Sequence, residues 1–118
     1  MDTIAPSDLT RNKVDESFLQ GVIIYVETNL HDSSLDVAQL CKQIGMSRSV
    51  LYRKIKALTG HSIQEFVRGI RLRKAKHLLI STNKTIGEIS YLVGFSNTKH
   101  FSTSFKKEFE LSPSEFRK

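Results

Sequence analysis

Two short stretches gather side chains able to exchange hydrogen bonds with an extended, polar, negatively charged ligand. In "MSRSVLYRKIKALTG", residues 46–60, Ser49, Tyr52 and Arg53 fall on one side of a helical wheel, with Arg48, Lys54 and Lys56 around them. In "SNTKHFSTSFKKEFE", residues 96–110, Thr98, Lys99, Ser102 and Thr103 hold the corresponding side, flanked by Asn97 and Lys106. The chemistry such a set supports is reading of base edges. A guanidinium such as that of Arg53 bonds O6 and N7 of guanine with both prongs, a pairing worth about 1–3 kcal/mol of discrimination. Ser49, Tyr52, Thr98, Lys99, Ser102 and Thr103 are the other candidate base contacts. Arg48, Lys54, Lys56 and Lys106 suit phosphate oxygens, which give affinity without sequence preference. Asn97 has two readings, a phosphate contact at a helix start or simply a helix cap. The bland alternative for all of these residues is a solvated face of a small basic helix.

Other chemistries find less support. His31, His61, His77 and His100 are scattered, without the spacing of a metal site. Ser, His and Asp occur in no nucleophile-elbow or paired-carboxylate arrangement. Neither an enzyme nor a cofactor is expected. Cys41 is the single cysteine, so no disulfide within the chain and no thiolate cluster can form, which suits a reducing compartment. No stretch of 18 apolar residues occurs, and "MDTIAPSDLT" lacks the basic start and apolar run of a secretion signal. The expected location is therefore the cytoplasm, with no membrane partner.

The candidate side chains act together only if helices aim them, and the chain is rich in helix punctuation. Residues 1–14 are polar and aperiodic and read as a linker or disordered end. From Asp15 a helical period begins with Leu19, Val22, Ile23, Val26 and Leu30. Ser34 and Ser47 are expected caps, and Gly45 and Gly60 expected stops. Ser62 with Glu65, Thr85 with Glu88, and Ser112 with Glu115 each form the S/T-x-x-E capping-box pattern, and Ser96 or Asn97 starts the helix that runs through Phe109. Pro113 stands at a first helical position, where its missing N–H is harmless. These signals predict an all-α fold of seven helices.

The second half repeats the first. Aligning Gly45 with Gly94 pairs Leu40 with Ile89 and Ser47 with Ser96; with one added residue, Leu51 pairs with Phe101, Ile55 with Phe105, Lys56 with Lys106 and Glu65 with Glu115. Each copy is a short helix, a glycine turn and a capped second helix, the pattern of a helix-turn-helix, at about 34–60 and 85–109. Leu51, Ile55 and Leu58 point inward in the first copy, and Phe101, Phe105 and Phe109 in the second. Core and caps recur while the exposed faces differ, as two readers of two base sequences would.

Between the copies, residues 62–80 predict a linker helix of roughly 28 Å, close to the ~34 Å of one duplex turn. Its apolar residues form an early group (Ile63, Phe66, Val67, Ile70) and a late one (Leu72, Ala75, Leu78, Leu79), so each end is expected to pack on one copy. Arg68, Arg71, Arg73, Lys74 and Lys76 on the same helix cannot all face one groove, and a solvated face or helix-stabilising ion pairs explain most of them. The net charge of +6 is uneven: residues 1–34 carry −4 and residues 35–118 carry +10. The later part is thus the one whose field attracts phosphate polyanions or an anionic membrane surface.

From about Phe18 to Lys118 the sequence resembles the DNA-binding domain of AraC/XylS-type bacterial transcription regulators. The resemblance is strongest in "IGEISYLVGFSNTKHFSTSFKKEFELSPSEFR", through Ile86, Gly94-Phe95-Ser96-Asn97, Phe101, Phe105-Lys106, Ser112-Pro113 and Phe116-Arg117; the first copy contributes Ser47, Leu51, Arg53, Gly60, Arg71 and Ala75. The sequence departs from the family pattern at His100, where an aromatic residue is usual, and at Glu110, where a glycine is common, which predicts a differently shaped last turn. The resemblance implies a module that binds double-stranded promoter DNA and regulates transcription. Its sensor or effector region would lie outside this chain, as in the output domains of hybrid two-component sensors. RNA polymerase is a further partner to consider, through the second helix-turn-helix.

Overall fold

A computed structural model describes residues 6–118, with side chains from Lys13 onward. Seven helices follow one another: α1 (Pro6–Thr28), α2 (Val37–Ile44), α3 (Arg48–Thr59), α4 (Ile63–Ser81), α5 (Ile86–Leu92), α6 (Thr98–Phe109) and α7 (Pro113–Arg117). No strand occurs among the described residues.

The local signals act where side-chain oxygens meet the unpartnered amides of each first turn. Ser47 Oγ accepts from the Val50 amide at 3.3 Å and opens α3. All three expected capping boxes form. In the box of α4 the Glu65 amide donates to Ser62 Oγ at 3.1 Å and the Ser62 amide donates to Glu65 Oε1 at 2.9 Å. The boxes of α5 (Thr85, Glu88) and α7 (Ser112, Glu115) repeat this geometry. Because each carboxylate accepts a backbone amide, the Glu65, Glu88 and Glu115 carboxyls are all held below the ordinary glutamate range.

Two details differ from the sequence reading. The first helix begins at Pro6, nine residues before Asp15, so the stretch expected to be a linker is helical from Pro6 to Val14; residues 1–5 lie outside the described residues. Proline is tolerated in a first helical turn, and no residue between it and Asp15 breaks a helix. The cap of α2 is Asp36, not Ser34: its carboxylate accepts from the Gln39 amide at 3.0 Å. Ser34 sits outside the helix, where its amide and hydroxyl bond Asp32 Oδ1 at 3.1 and 3.2 Å.

Burial of the helical stripes produces two cores. In the first, Val22 and Val26 of α1, Leu40 of α2, and Leu51 and Ile55 of α3 pack on Ile63, Val67 and Ile70 of α4. In the second, Ile89 of α5 and Phe101 and Phe105 of α6 pack on Leu72, Ala75 and Leu79. The linker helix therefore divides its apolar residues between the two copies, as its sequence grouping predicts. Tilted and edge-on ring pairs run from Phe95 through Phe101 and Phe105 to Phe109 and Phe116, at centroid distances of 4.7–5.9 Å. Arg117 closes the far end of α4: its Nε donates to the Leu79 carbonyl at 3.1 Å and its Nη2 to that of Thr82 at 3.2 Å, pairing carbonyls that the helix end leaves without partners.

Candidate nucleic-acid interface

Each helix-turn-helix depends on a chain reversal before its second helix. Gly45 (φ 71°) and Gly94 (φ 93°) make these reversals in the left-handed region, where a Cβ is disfavoured. Helices α3 and α6 then lie over their cores with Leu51, Ile55, Phe101 and Phe105 fully buried. That burial sets which side chains remain outside.

On α3, Arg48, Ser49, Arg53 and Lys56 are exposed, and Tyr52 is half-buried with its side chain against the first core. Lys56 Nζ also donates to the Gly60 carbonyl at 3.1 Å, so in the free protein it caps the end of α3. On α6, Thr98, Lys99, Thr103 and Lys106 are exposed and Ser102 is half-buried. Asn97 is exposed too, with Oδ1 accepting from the His100 amide at 3.0 Å; it caps α6, which leaves its amide nitrogen for a second partner. The structure thus brings Ser49, Tyr52 and Arg53 to one face and Lys99, Ser102 and Thr103 to the matching face of the second copy.

Lys54 does not join that face. Its ammonium lies 3.7 Å from Asp15 Oδ1 and 5.2 Å from the centroid of the Phe18 ring, against α1. One step along the helix from Arg53 turns the side chain by roughly 100°, enough to move it from the open face to the α1 side.

The cations of α4 also separate. Arg73 and Lys74 are exposed, Arg68 is half-buried, and Lys76 holds its ammonium 4.8 Å from the Phe109 centroid and 5.6 Å from that of Phe116. Arg71, one of the five cations for most of which a solvated face or ion pairs are expected, is 6% exposed and hydrogen-bonded to backbone carbonyls. Burial draws its pKa down, opposed by the nearby Asp32, yet a guanidinium remains charged throughout the ordinary pH range. Nothing in the spacing along α4 marks Arg71 off from its neighbours; only the family motif singles it out.

At the two departures from the family motif, the geometry is conserved by other means. His100 sets its imidazole 5.5 Å from the Phe95 ring, tilted by 60°, and so fills an aromatic position with an aromatic ring. Glu110 adopts φ 66° and its amide bonds the Lys106 carbonyl at 2.7 Å, as the amide of Gly60 (φ 78°) bonds that of Lys56 at 2.9 Å. The turn after α6 therefore has the same shape as the turn after α3, contrary to the expectation drawn from the missing glycine.

No described helix is long and apolar enough to cross a membrane, and no cluster of three or more metal-ligating residues occurs among the described residues.

Comparison with known proteins supplies the family. Residues 40–118 match the sequence profile of the family described as "Helix-turn-helix domain". The chain is 39% identical over 114 residues to "Histidine kinase P4" of Formosa agariphila, which covers 97% of this chain and 8% of the kinase. It is similar in structure to a transcriptional regulator of Chromobacterium violaceum described by its AraC-type DNA-binding domain, with TM-score 0.81, 29% identity, and coverage of 90% of this chain and 94% of that one. The DNA-binding domain of AdpA, a global transcriptional factor solved in complex with a target DNA, aligns with TM-score 0.72 and 25% identity over 84% of this chain and 88% of its own. Its profile match, its paired helix-turn-helix units and these likenesses together show that the chain belongs to the AraC/XylS-type family of helix-turn-helix DNA-binding domains.

Proposed function

We propose that this domain regulates transcription by placing α3 and α6 in two successive major-groove segments of one face of promoter DNA. One observation carries the reading: two units with matched cores and caps present different polar faces, Ser49-Tyr52-Arg53 and Lys99-Ser102-Thr103, on helices joined by the single strut α4. Arg53 reads a guanine, and Ser49, Tyr52, Thr98, Lys99, Ser102 and Thr103 contact neighbouring base edges. Arg48, Lys56, Asn97 and Lys106 contact the backbone. Lys54 is left out because it is engaged with α1. Both readers lie in one chain, so the two half-sites stand in tandem and no palindrome is required. The target DNA bound by the AdpA domain supports duplex DNA as the ligand. The likeness to a short part of a histidine kinase supports an output role within a longer two-component regulator.

Selection of sites from random duplex DNA, followed by backbone footprinting, tests the reading. Two protected major-groove segments about one turn apart are expected, and neutralising six to eight phosphates gives a slope of log K against log salt of roughly −5 to −7. A flat salt response overturns it. A second reading is favoured by Tyr91 and Leu92 of α5, which are 72% and 38% exposed: the second unit binds RNA polymerase or another protein while only α3 touches DNA. A footprint confined to one groove selects that reading.

A further inference from the structure

We propose that Arg71 is the residue that fixes the separation of the two half-sites this domain accepts. Its guanidinium is the polar joint between the two helix-turn-helix units, and the inference rests on the two-groove reading above.

Arg71 projects from the middle of α4, at the boundary between the residues that serve the first core and those that serve the second. Its Nη1 donates to the carbonyl of Leu30 and, at 2.8 Å, to that of Val93; its Nη2 donates to the carbonyl of Asp32 at 2.8 Å. Leu30 and Asp32 belong to the connection between α1 and α2, in the first unit. Val93 ends α5, in the second. One planar group therefore ties the linker to both units, with its prongs directed at carbonyls 22 to 41 residues away. A lysine ammonium has neither this fork nor its fixed plane.

Three further features place the joint at this point. Leu30, whose carbonyl accepts from Arg71, packs its side chain against both cores. Gly94 has no room for a side chain: a Cβ there would lie 1.6 Å from Arg71 Nη1 and 2.4 Å from the Leu30 carbonyl oxygen. Beside the joint the units are separated by a cleft of about 500 Å³ lined by Leu35 and Val37 of the first, Gln64 and Arg68 of α4, and Ser96 and His100 of the second. Next to this cleft, the Leu30 side chain and the Arg71 guanidinium together bridge the two units.

The functional consequence follows from the physics of linked binding. When the first reader is bound, the second sees its half-site at an effective concentration set by the stiffness and length of the connection. A stiff joint concentrates that probability at one spacing, whereas a loose joint spreads it over several. Each added base pair moves a half-site by about 3.4 Å and rotates it about the duplex by about a tenth of a turn. A joint of the kind Arg71 makes thus discriminates between neighbouring spacings, although its side chain is buried away from the reading faces.

The experiment measures affinity of the 118-residue chain for the selected site, for each half-site alone, and for a series in which one to five base pairs are inserted or removed between the halves. For the unsubstituted chain one spacing is expected to bind at least about tenfold more tightly than its neighbours, a difference of ~1.4 kcal/mol. In Arg71→Met that preference is expected to fall to about twofold or less, with half-site affinities changed by less than about twofold. Arg71→Lys is expected to lie between the two, and it carries the test alone if circular dichroism shows Arg71→Met to be unfolded. A folded variant that keeps the full spacing preference overturns the role of Arg71. An unsubstituted chain with no preferred spacing, or with one protected groove, overturns the two-groove reading and the inference with it.

Discussion

Glu110 stands in the left-handed backbone conformation that Gly60 occupies in the other unit, φ 66° against 78°, and it is the only non-glycine residue with positive φ among the described residues. For an L-residue this conformation costs roughly 1–2 kcal/mol, and glycine regains part of that as lost unfolded-state entropy. Glu110 is exposed, and its backbone bond to Lys106 does not depend on its side chain. Glu110→Gly is therefore expected to stabilise the domain by about 0.5–1 kcal/mol and raise Tm by about 2–5 °C. Calorimetry that finds Tm unchanged or lowered would contradict the strain assigned to this turn.

Ser90 is 1% exposed on α5, and its hydroxyl has no hydrogen-bond partner. A buried, unpaired polar atom forfeits its hydration, at a cost of about 1–3 kcal/mol. Alanine removes that cost, and it is also the better helix former by a few tenths of a kcal/mol. Against this stands the loss of one packed oxygen atom. Ser90→Ala is expected to raise stability by about 1 kcal/mol, seen as a higher urea midpoint with an unchanged slope. A lowered midpoint would mean that the hydroxyl is bonded in solution.

The parts of this fold legible in the sequence are those whose cause is local. Ser62 and Glu65 announce a helix start because cap and partner stand three residues apart, and Leu51 and Ile55 announce a buried stripe because they stand four apart. At Glu110 the missing glycine misled, since the turn keeps the left-handed shape that Gly60 has in the first unit. What stayed hidden depends on distant backbone. The partners of Arg71 are carbonyl oxygens, which every residue carries, so no residue type at positions 30, 32 or 93 advertises them. Lys54 looked like its neighbour Arg53 until α1 supplied Asp15 and Phe18 opposite it. At the start of α2 the sequence reading points to Ser34, but it is Asp36 whose carboxylate reaches the Gln39 amide.

The three capping-box carboxylates give stability a defined dependence on pH. Glu65, Glu88 and Glu115 each have a folded pKa lowered chiefly by the hydrogen bond from their own cap residue's backbone amide. A depressed folded pKa means that the stabilisation is complete well above the unfolded value, about 4.3, and is lost as pH falls through the folded values below it. Glutamine at the same position accepts the same amide bond without titrating. The combined variant Glu65→Gln, Glu88→Gln, Glu115→Gln should thus show a flatter fall in Tm between neutral pH and about pH 3 than the unsubstituted chain. Parallel curves would show that other carboxylates set the acid sensitivity.

Arg53, Lys54 and Lys106 should separate when each is replaced and DNA binding is measured across salt and sequence. Arg53 is exposed at the centre of the α3 face, so Arg53→Ala is expected to cost about 1–3 kcal/mol for the preferred base pair and much less for the other three at that position. Lys106 is exposed on α6, so Lys106→Ala is expected to weaken all sequences alike and make the salt slope shallower by about one. Lys54 is turned toward Asp15 and Phe18, so Lys54→Ala should lower Tm and leave the salt slope unchanged. A uniform loss across sequences for Arg53→Ala would reassign that guanidinium to the phosphate backbone, and a shallower slope for Lys54→Ala would mean that the lysine leaves α1 when DNA arrives. The three outcomes are independent because the side chains leave the helices in different directions, which makes the set a direct test of which faces of α3 and α6 meet the duplex.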